Sequence, residues 1–213
     1  MFSNLQSYSF FRKKTSMLVF MNEMSGMIFF VYICIIVIKK INVLKMKALV
    51  SVIMGSTSDL PVMEAAFKFL DSQEIPFEVL ALSAHRTPDE VAEYARNAHS
   101  RGVKVIIAAA GMAAHLPGVI AAMTPVPVIG VPIKSSFEGL DSTLAILQMP
   151  PGIPVATVAV NGAQNAAILA MQMLAVNDPQ MLAKVVEFKT SLKQKIVKAN
   201  DDLAQISYKF KTN

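Results

Sequence analysis

Five short apolar runs recur along this chain, at residues 48–54, 77–82, 103–109, 126–133 and 154–160, each separated from the next by a helical stretch. Gly, Pro, Ser and Asp punctuate their ends. Runs of this length without polar alternation predict strands covered on both faces, which demands helices on both sides of one sheet. Strand and helix in strict succession imply parallel pairing, because a parallel neighbour is reached only through a crossover long enough to hold a helix.

The turns that follow the runs carry the chemistry. After the first comes Gly55-Ser-Thr-Ser-Asp59, then a helix from Leu60 to about Ser72 with Ser58 or Asp59 as its cap. Free backbone N–H groups at a helix start, together with the hydroxyls of Ser56 and Ser58, form a phosphate cradle in the physical sense. Asp59 would repel a phosphate placed on it, so it either accepts from a ribose hydroxyl or caps the helix. After the second run, Ser83-Ala-His-Arg-Thr-Pro-Asp-Glu90 opens another helix, with Thr87 as the cap, Pro88 at the first helical position and Glu90 completing a capping box. Histidine, here His85, is the side-chain type suited to moving a proton near neutral pH, and Arg86 is a permanent cation whose fork suits phosphate. A proton shuttle beside an anion clamp is one reading; a packed His and a surface-paired Arg is the other. After the third run, Gly111-Met-Ala-Ala-His-Leu-Pro-Gly118 leads into a helix starting near Pro117, with His115 just ahead of it. The small residues Ala113, Ala114 and Gly118 serve either close approach to a ligand or tight helix-to-sheet packing. His99 lies on a helix away from the turns, as surface or packing.

The fourth run holds Pro127 and Pro132 behind Pro125, which predicts an edge or bulged strand. A polar loop from Lys134 to Gly139 and a helix from Leu140 to Gln148 follow it. The helix opening at Asn161-Gly-Ala-Gln-Asn165 and reaching about Val176 has no charge, which predicts burial on all sides. Asp178-Pro179 caps a last helix in which Leu182, Val185, Val186, Leu192, Ile196, Leu203 and Ile206 recur at helical spacing among lysines. A helix that long, amphipathic and terminal predicts a homo-oligomer. The expected fold is a three-layer α/β/α domain of the flavodoxin-like kind, with a central parallel sheet of about five strands and a long C-terminal helix. In such a sheet the turns after strands one, two and three share one rim, where ligands bind. Ser56, Ser58, Asp59, Ser83, His85, Arg86 and His115 all fall on it.

Charge separates the first residues from the rest. The first 47 residues hold seven Lys or Arg and one acid, leaving 13 basic and 14 acidic residues, a balance of −1, for the remainder. The body shows no basic patch interleaved with aromatics, so nucleic-acid binding is not expected. Residues 1–46 form a hydrophobic basic leader, 47–177 the catalytic domain, and 178–213 the C-terminal oligomerisation helix and tail. The leader holds the only cysteine, Cys34, and an uncharged run of 15 residues, Met24 to Ile38, short of the roughly 20 that span a bilayer. It reads as a membrane anchor, as an uncleaved signal-like segment, or as an upstream stretch preceding a true start at Met46. The third is favoured, because Met46 runs into the first strand without a linker. Association with a membrane is expected only if the leader is real. With no internal disulfide possible, a reducing, cytoplasmic setting is expected.

Taken together, Gly55-Ser-Thr-Ser-Asp59, Ser83-Ala-His-Arg-Thr-Pro88, Ala113-Ala-His-Leu-Pro-Gly118, Gly139-Leu-Asp-Ser142 and Gln148-Met-Pro150 with Val155-Ala-Thr157 resemble, in order and spacing, the N5-carboxyaminoimidazole ribonucleotide mutases of de novo purine synthesis. The resemblance covers about residues 47–180. It implies an isomerase that moves a carboxylate from the exocyclic nitrogen to a ring carbon of aminoimidazole ribonucleotide, with no metal, ATP or organic cofactor. It implies His85 as the proton-transfer residue and Ser56, Asp59 and Arg86 as substrate-binding residues, with Ser58, Ser83, Gly111 and His115 lining the pocket. The family's assembly implies an octamer. Two departures stand out: Met112 replaces a usual Gly, and the 161–164 loop is about two residues shorter than the family's. A sister class carboxylates aminoimidazole ribonucleotide directly with carbon dioxide and typically has Lys at the position of Arg86. Outside this chemistry, the hydroxyl-rich first turn also suits a flavin-binding electron carrier, and the leader suits a tethered nucleotide-binding module without turnover.

Overall fold

Every residue of β1 (Val50–Met54) is buried, because β1 pairs in parallel with β2 (Phe77–Ala81) on one side and β3 (Val105–Gly111) on the other. Val50 lies level with both Phe77 and Val105. The computed structural model describes residues 46–212. The chain divides into two units, Met1–Met46 and Lys47–Asn213. The apolar run 24–38 and the readings attached to it lie outside the described residues. Among the described residues no helix is long and apolar enough to cross a membrane.

β3 pairs onward with β4 (Val128–Ile133), and β4 with β5 (Ala156–Thr157), which gives five parallel strands in the order β2-β1-β3-β4-β5. Alternation along the strands divides the core. Val50, Val52, Val105, Ile107, Ile129 and Val131 face one layer, formed by α1 (Leu60–Ser72), α5 (Ala163–Ala175) and the start of α6 (Pro179–Ala204). Ile53, Ile106, Ala108 and Val128 face the other, formed by α2 (Pro88–Arg101), α3 (Leu116–Ala121) and α4 (Leu140–Leu147). This is the expected three-layer α/β/α, flavodoxin-like architecture.

Four local expectations need correction. The run at 77–82 forms the sheet's outer strand, and its residues are half-buried or exposed, with Val79 41% exposed, because β2 has a strand on one side only. β4 is neither an edge nor bulged: its register with β3 is unbroken from Val128 to Ile133, and it is buried throughout. Its proline is tolerated because the Gly130 and Pro132 carbonyls point toward β5, where they accept from Val158 and Asn161 N–H groups at 3.1 and 2.8 Å. The short β5 has stopped before Pro132, so no ladder bond needs the missing N–H. β5 itself spans two residues rather than seven. α5 buries Ala163, Ala166, Ala167, Ala170, Met171 and Ala175, while Gln164 and Asn165 are exposed. Its small residues mark a close approach to the sheet rather than burial on all sides.

α6 begins at an Asp178 cap that accepts from Gln180 and Met181 N–H at 2.9 and 3.1 Å. Its first turns dock through buried Val185 and through Phe188, set edge-on to Phe69 at 5.1 Å. Farther along, Leu192, Ile196, Val197 and Leu203 are exposed. On the opposite layer, burial pushes the Tyr94 phenol up to about 12, so it stays a donor, and it meets Glu78 of β2 at 3.4 Å, tying α2 to the outer strand. Arg101 pairs with the same carboxylate.

Gly130 lets α3, α4 and the segment before β5 close on the sheet. A Cβ there would collide with Ile146 and lie 3.1 Å from Val155 and 3.5 Å from Pro117. Gly130→Ala is expected to destabilise the domain by about 1–3 kcal/mol through overpacking, read as a lower urea midpoint at an unchanged slope. An unchanged midpoint would mean that α4 is free to shift.

Candidate active site

Strand order reverses between β1 and β3, and the turns leaving β1, β2 and β3 emerge there together. β3 ends in Ala108-Ala-Ala-Gly111, side chains too small to fill the space above the sheet. A cleft of about 600 Å³ opens at this point.

The first turn winds into a single 3-10 turn, Thr57–Asp59, with Ser56 at its start. Asp59, one of the two expected caps, stands at the N-cap position of α1 but makes no side-chain cap bond; Ser56 caps the 3-10 turn, its Oγ accepting from Ser58 N–H at 3.3 Å. Ser58 Oγ in turn meets Asp59 Oδ1 at 3.3 Å. Asp59 is 9% exposed, and burial raises its carboxyl above the usual carboxylate range, opposed by the Ser58 hydroxyl, a Ser56 backbone hydrogen bond and the Arg86 charge.

The second turn is held by its own side chains. Thr87 makes no cap bond, so the expected capping box is absent. Its Oγ1 instead accepts from Ser83 N–H at 2.9 Å and donates to the Ser83 carbonyl at 3.2 Å, pinching the turn shut. Ser83 Oγ accepts from Arg86 N–H at 3.3 Å and Nε–H at 3.2 Å, and Arg86 Nη2 donates to the Gly55 carbonyl at 2.6 Å. The guanidinium therefore bridges the first two turns. Two of its five N–H donors are used in this way, and the others suit an anion.

His85 Nε2 lies 2.8 Å from His115 Nδ1, the rings edge to face at 4.9 Å between centroids. One nitrogen donates and the other accepts, so a single proton lies between them. The two imidazoles come from turns 30 residues apart.

Seven of the eight residues expected at the site, Ser56, Ser58, Asp59, Ser83, His85, Arg86 and Gly111, line the cleft. His115 does not; it is exposed, and its Nδ1 meets His85 Nε2. Ala113 lines the cleft, whereas Ala114 is fully buried and a Cβ on Gly118 would lie 2.6 Å from Met149 Sδ, so both of these serve packing. The turn after β4 adds Lys134 and Ser135, which sequence reasoning left as a polar loop. The signal was present: a cation and hydroxyls directly after a strand end on the same rim. Asn161 braces this turn, its Oδ1 accepting from Lys134 N–H at 2.9 Å, and Lys134 pairs with Glu138. Among the described residues no group of three or more His, Cys, Asp or Glu stands together to cage a metal ion.

The AIR carboxylase family matches residues 49–195 of this chain. The chain belongs to that family. Relatives carry two names. A phosphoribosylaminoimidazole carboxylase of Candida glabrata is 55% identical over 163 residues, which are 76% of this chain and 29% of that protein. An N5-carboxyaminoimidazole ribonucleotide mutase of Thermotoga maritima is 53% identical over 161 residues, 75% of this chain and 94% of that protein. The chain thus spans under a third of the fungal relative and nearly all of the bacterial one. The crystal structure of Treponema denticola PurE superposes with a TM-score of 0.68 at 30% identity, covering 73% of this chain and 98% of that one. The family match includes every cleft residue named above.

Because the folded state raises the Asp59 pKa, the native protein binds that proton more tightly than the unfolded chain. Ionisation therefore costs stability at neutral pH, and the cost fades as pH falls through the raised value toward the ordinary 3.8. Asp59→Asn is expected to raise the thermal midpoint of the ligand-free protein by about 1–3 °C at pH 7, a gain that disappears under acid conditions. A lower midpoint at pH 7 would show that the Ser58 and Arg86 contacts outweigh burial.

Proposed function

We propose that this chain is an isomerase of de novo purine synthesis, converting N5-carboxyaminoimidazole ribonucleotide to 4-carboxy-5-aminoimidazole ribonucleotide, with His85 as the proton carrier. One observation carries the reading: a linked pair of imidazoles stands at a cleft whose other wall is a hydroxyl and backbone cradle bridged by a guanidinium. Anion binding and proton transfer are thereby held at fixed positions on one rigid rim.

The chemistry follows from that layout. The phosphate lies against the Ser56 to Asp59 turn and the Arg86 guanidinium, and Asp59 accepts from a ribose hydroxyl. This remote binding orients the base. The carbamate C–N bond breaks to give carbon dioxide, and protonated His85 delivers its proton to the exocyclic nitrogen. The electron-rich ring carbon then attacks the carbon dioxide, forming the new C–C bond. Neutral His85 removes the proton left on that carbon, which restores the aromatic ring and the imidazolium. The proton count closes: one given, one taken. His115 fixes the His85 ring through its Nδ1. Lys134 and the Ser135 hydroxyl lie where a carboxylate or carbon dioxide needs positive charge and a donor.

Direct carboxylation of aminoimidazole ribonucleotide is the second reading, favoured by the name of the fungal relative. Arg86 stands where that class typically has Lys, which supports the mutase. Exposed apolar side chains on α4 (Leu140, Leu144, Leu147) and α6 support a homo-oligomer, an octamer in keeping with the resemblance. A cytoplasmic setting belongs to this reading, because a substrate bearing a phosphate and a carboxylate does not cross a membrane unaided.

His85→Asn is expected to lower kcat by at least about 100-fold while nucleotide affinity changes little. Arg86→Ala is expected to weaken nucleotide binding by about 30-fold or more, as removing one partner of a charge-assisted pair does. Calorimetric titration and turnover assays with each substrate fed separately check both. Equal loss of binding in the two variants would assign the shuttle elsewhere, and turnover only with unmodified ribonucleotide plus bicarbonate would favour direct carboxylation.

A further inference from the structure

Met112 combines three properties that do not ordinarily occur together. Its backbone is left-handed, with φ +53°, a conformation that a residue bearing a long side chain adopts only at a cost. Its side chain is 61% exposed, so in the free protein burial offsets little of that cost. Its N–H donates to Ser135 Oγ at 3.2 Å, a bond between the turns after β3 and β4 that holds the strained conformation in place. Strain held by neighbours, with an apolar side chain left against an open cleft, is characteristic of a residue whose contact forms only with a ligand.

The cleft has two ends. The hydroxyls of Ser56 and Ser58 and the Arg86 guanidinium make one of them suited to anions. Met112 belongs to the other, on the loop that also carries His115, whose ring reaches His85. The thioether and His85 thus line the same cleft. Thioethers pack well against aromatic rings, and Met is flexible enough to settle on a planar face.

We propose that Met112 is a specificity-determining residue that covers the heteroaromatic ring of the bound nucleotide and shields it from water, a role that rests on the ribonucleotide reading above. The side chain acts on the base and not on the sugar phosphate.

The test compares aminoimidazole ribonucleotide with ribose 5-phosphate, a probe lacking the ring, by titration against the full chain and its Met112→Gly, Met112→Ala and Met112→Leu variants. Met112→Gly and Met112→Ala are expected to bind the nucleotide roughly 2- to 10-fold more weakly with ribose 5-phosphate affinity unchanged, while Met112→Leu stays near the parent. Met112→Gly is also expected to melt no lower than the parent, since Gly relieves the left-handed strain. Unchanged nucleotide binding in Met112→Gly and Met112→Ala, or equal loss for both probes, would overturn the inference. A parent that binds neither probe would instead overturn the ribonucleotide reading.

Discussion

The cleft depends on β1 lying between β2 and β3, because that arrangement sends three successive turns out of the sheet at one place, and on the Arg86 to Gly55 hydrogen bond that ties the first two. A guanidinium forked between a backbone carbonyl and Ser83 Oγ cannot swing freely. Its remaining donors meet a ligand already oriented, so little side-chain entropy is lost on binding. Ser83 is buried to make this possible, and Thr87 spends its hydroxyl on Ser83 rather than on the helix cap that its position suggests. Local helix stability is given up at this turn so that an arginine and a histidine are presented in a fixed relation.

The same exchange of stability for function recurs around the cleft. Asp59 is buried enough to resist ionisation, yet it is flanked by the Ser58 hydroxyl and the Arg86 charge that favour it. Met112 keeps a left-handed backbone with an exposed side chain. The turn after β4 places Phe137, Glu138 and Gly139 in succession at positive φ, which lets Lys134 and Ser135 face the cleft while Asn161 holds the turn from below. Strained and polar-lined geometry is concentrated on this rim, whereas the sheet beneath is packed with Val, Ile and Ala.

The parallel pairing, the layers and most of the cleft were legible in the sequence because they rest on period and punctuation. Apolar runs bounded by Gly and Pro are strands, and polar residues just past their ends share a rim. What escaped were matters of neighbourhood. Pro132 reads as an edge signal, and only the early end of β5 explains why it sits inside the sheet. The run 77–82 is as apolar as its neighbours, yet it lies outermost, since composition does not reveal strand order. Thr87 and Asp59 have the chemistry of caps and stand at cap positions, but neighbours in their own turns, Ser83 and Ser58, take their hydrogen bonds. His115 looked like a lining residue, and its contact with His85 spans 30 residues, which no local pattern encodes.

On the proposed reading the rim grips a sugar phosphate at one end and offers the His85 imidazole to the base at the other. A crystal structure with 4-carboxy-5-aminoimidazole ribonucleotide bound tests this most directly. Phosphate oxygens are expected on the Ser56 to Asp59 turn and the Arg86 guanidinium, with the imidazole ring of the ligand facing His85. Phosphate bound away from that turn, or a base turned from His85, would contradict it.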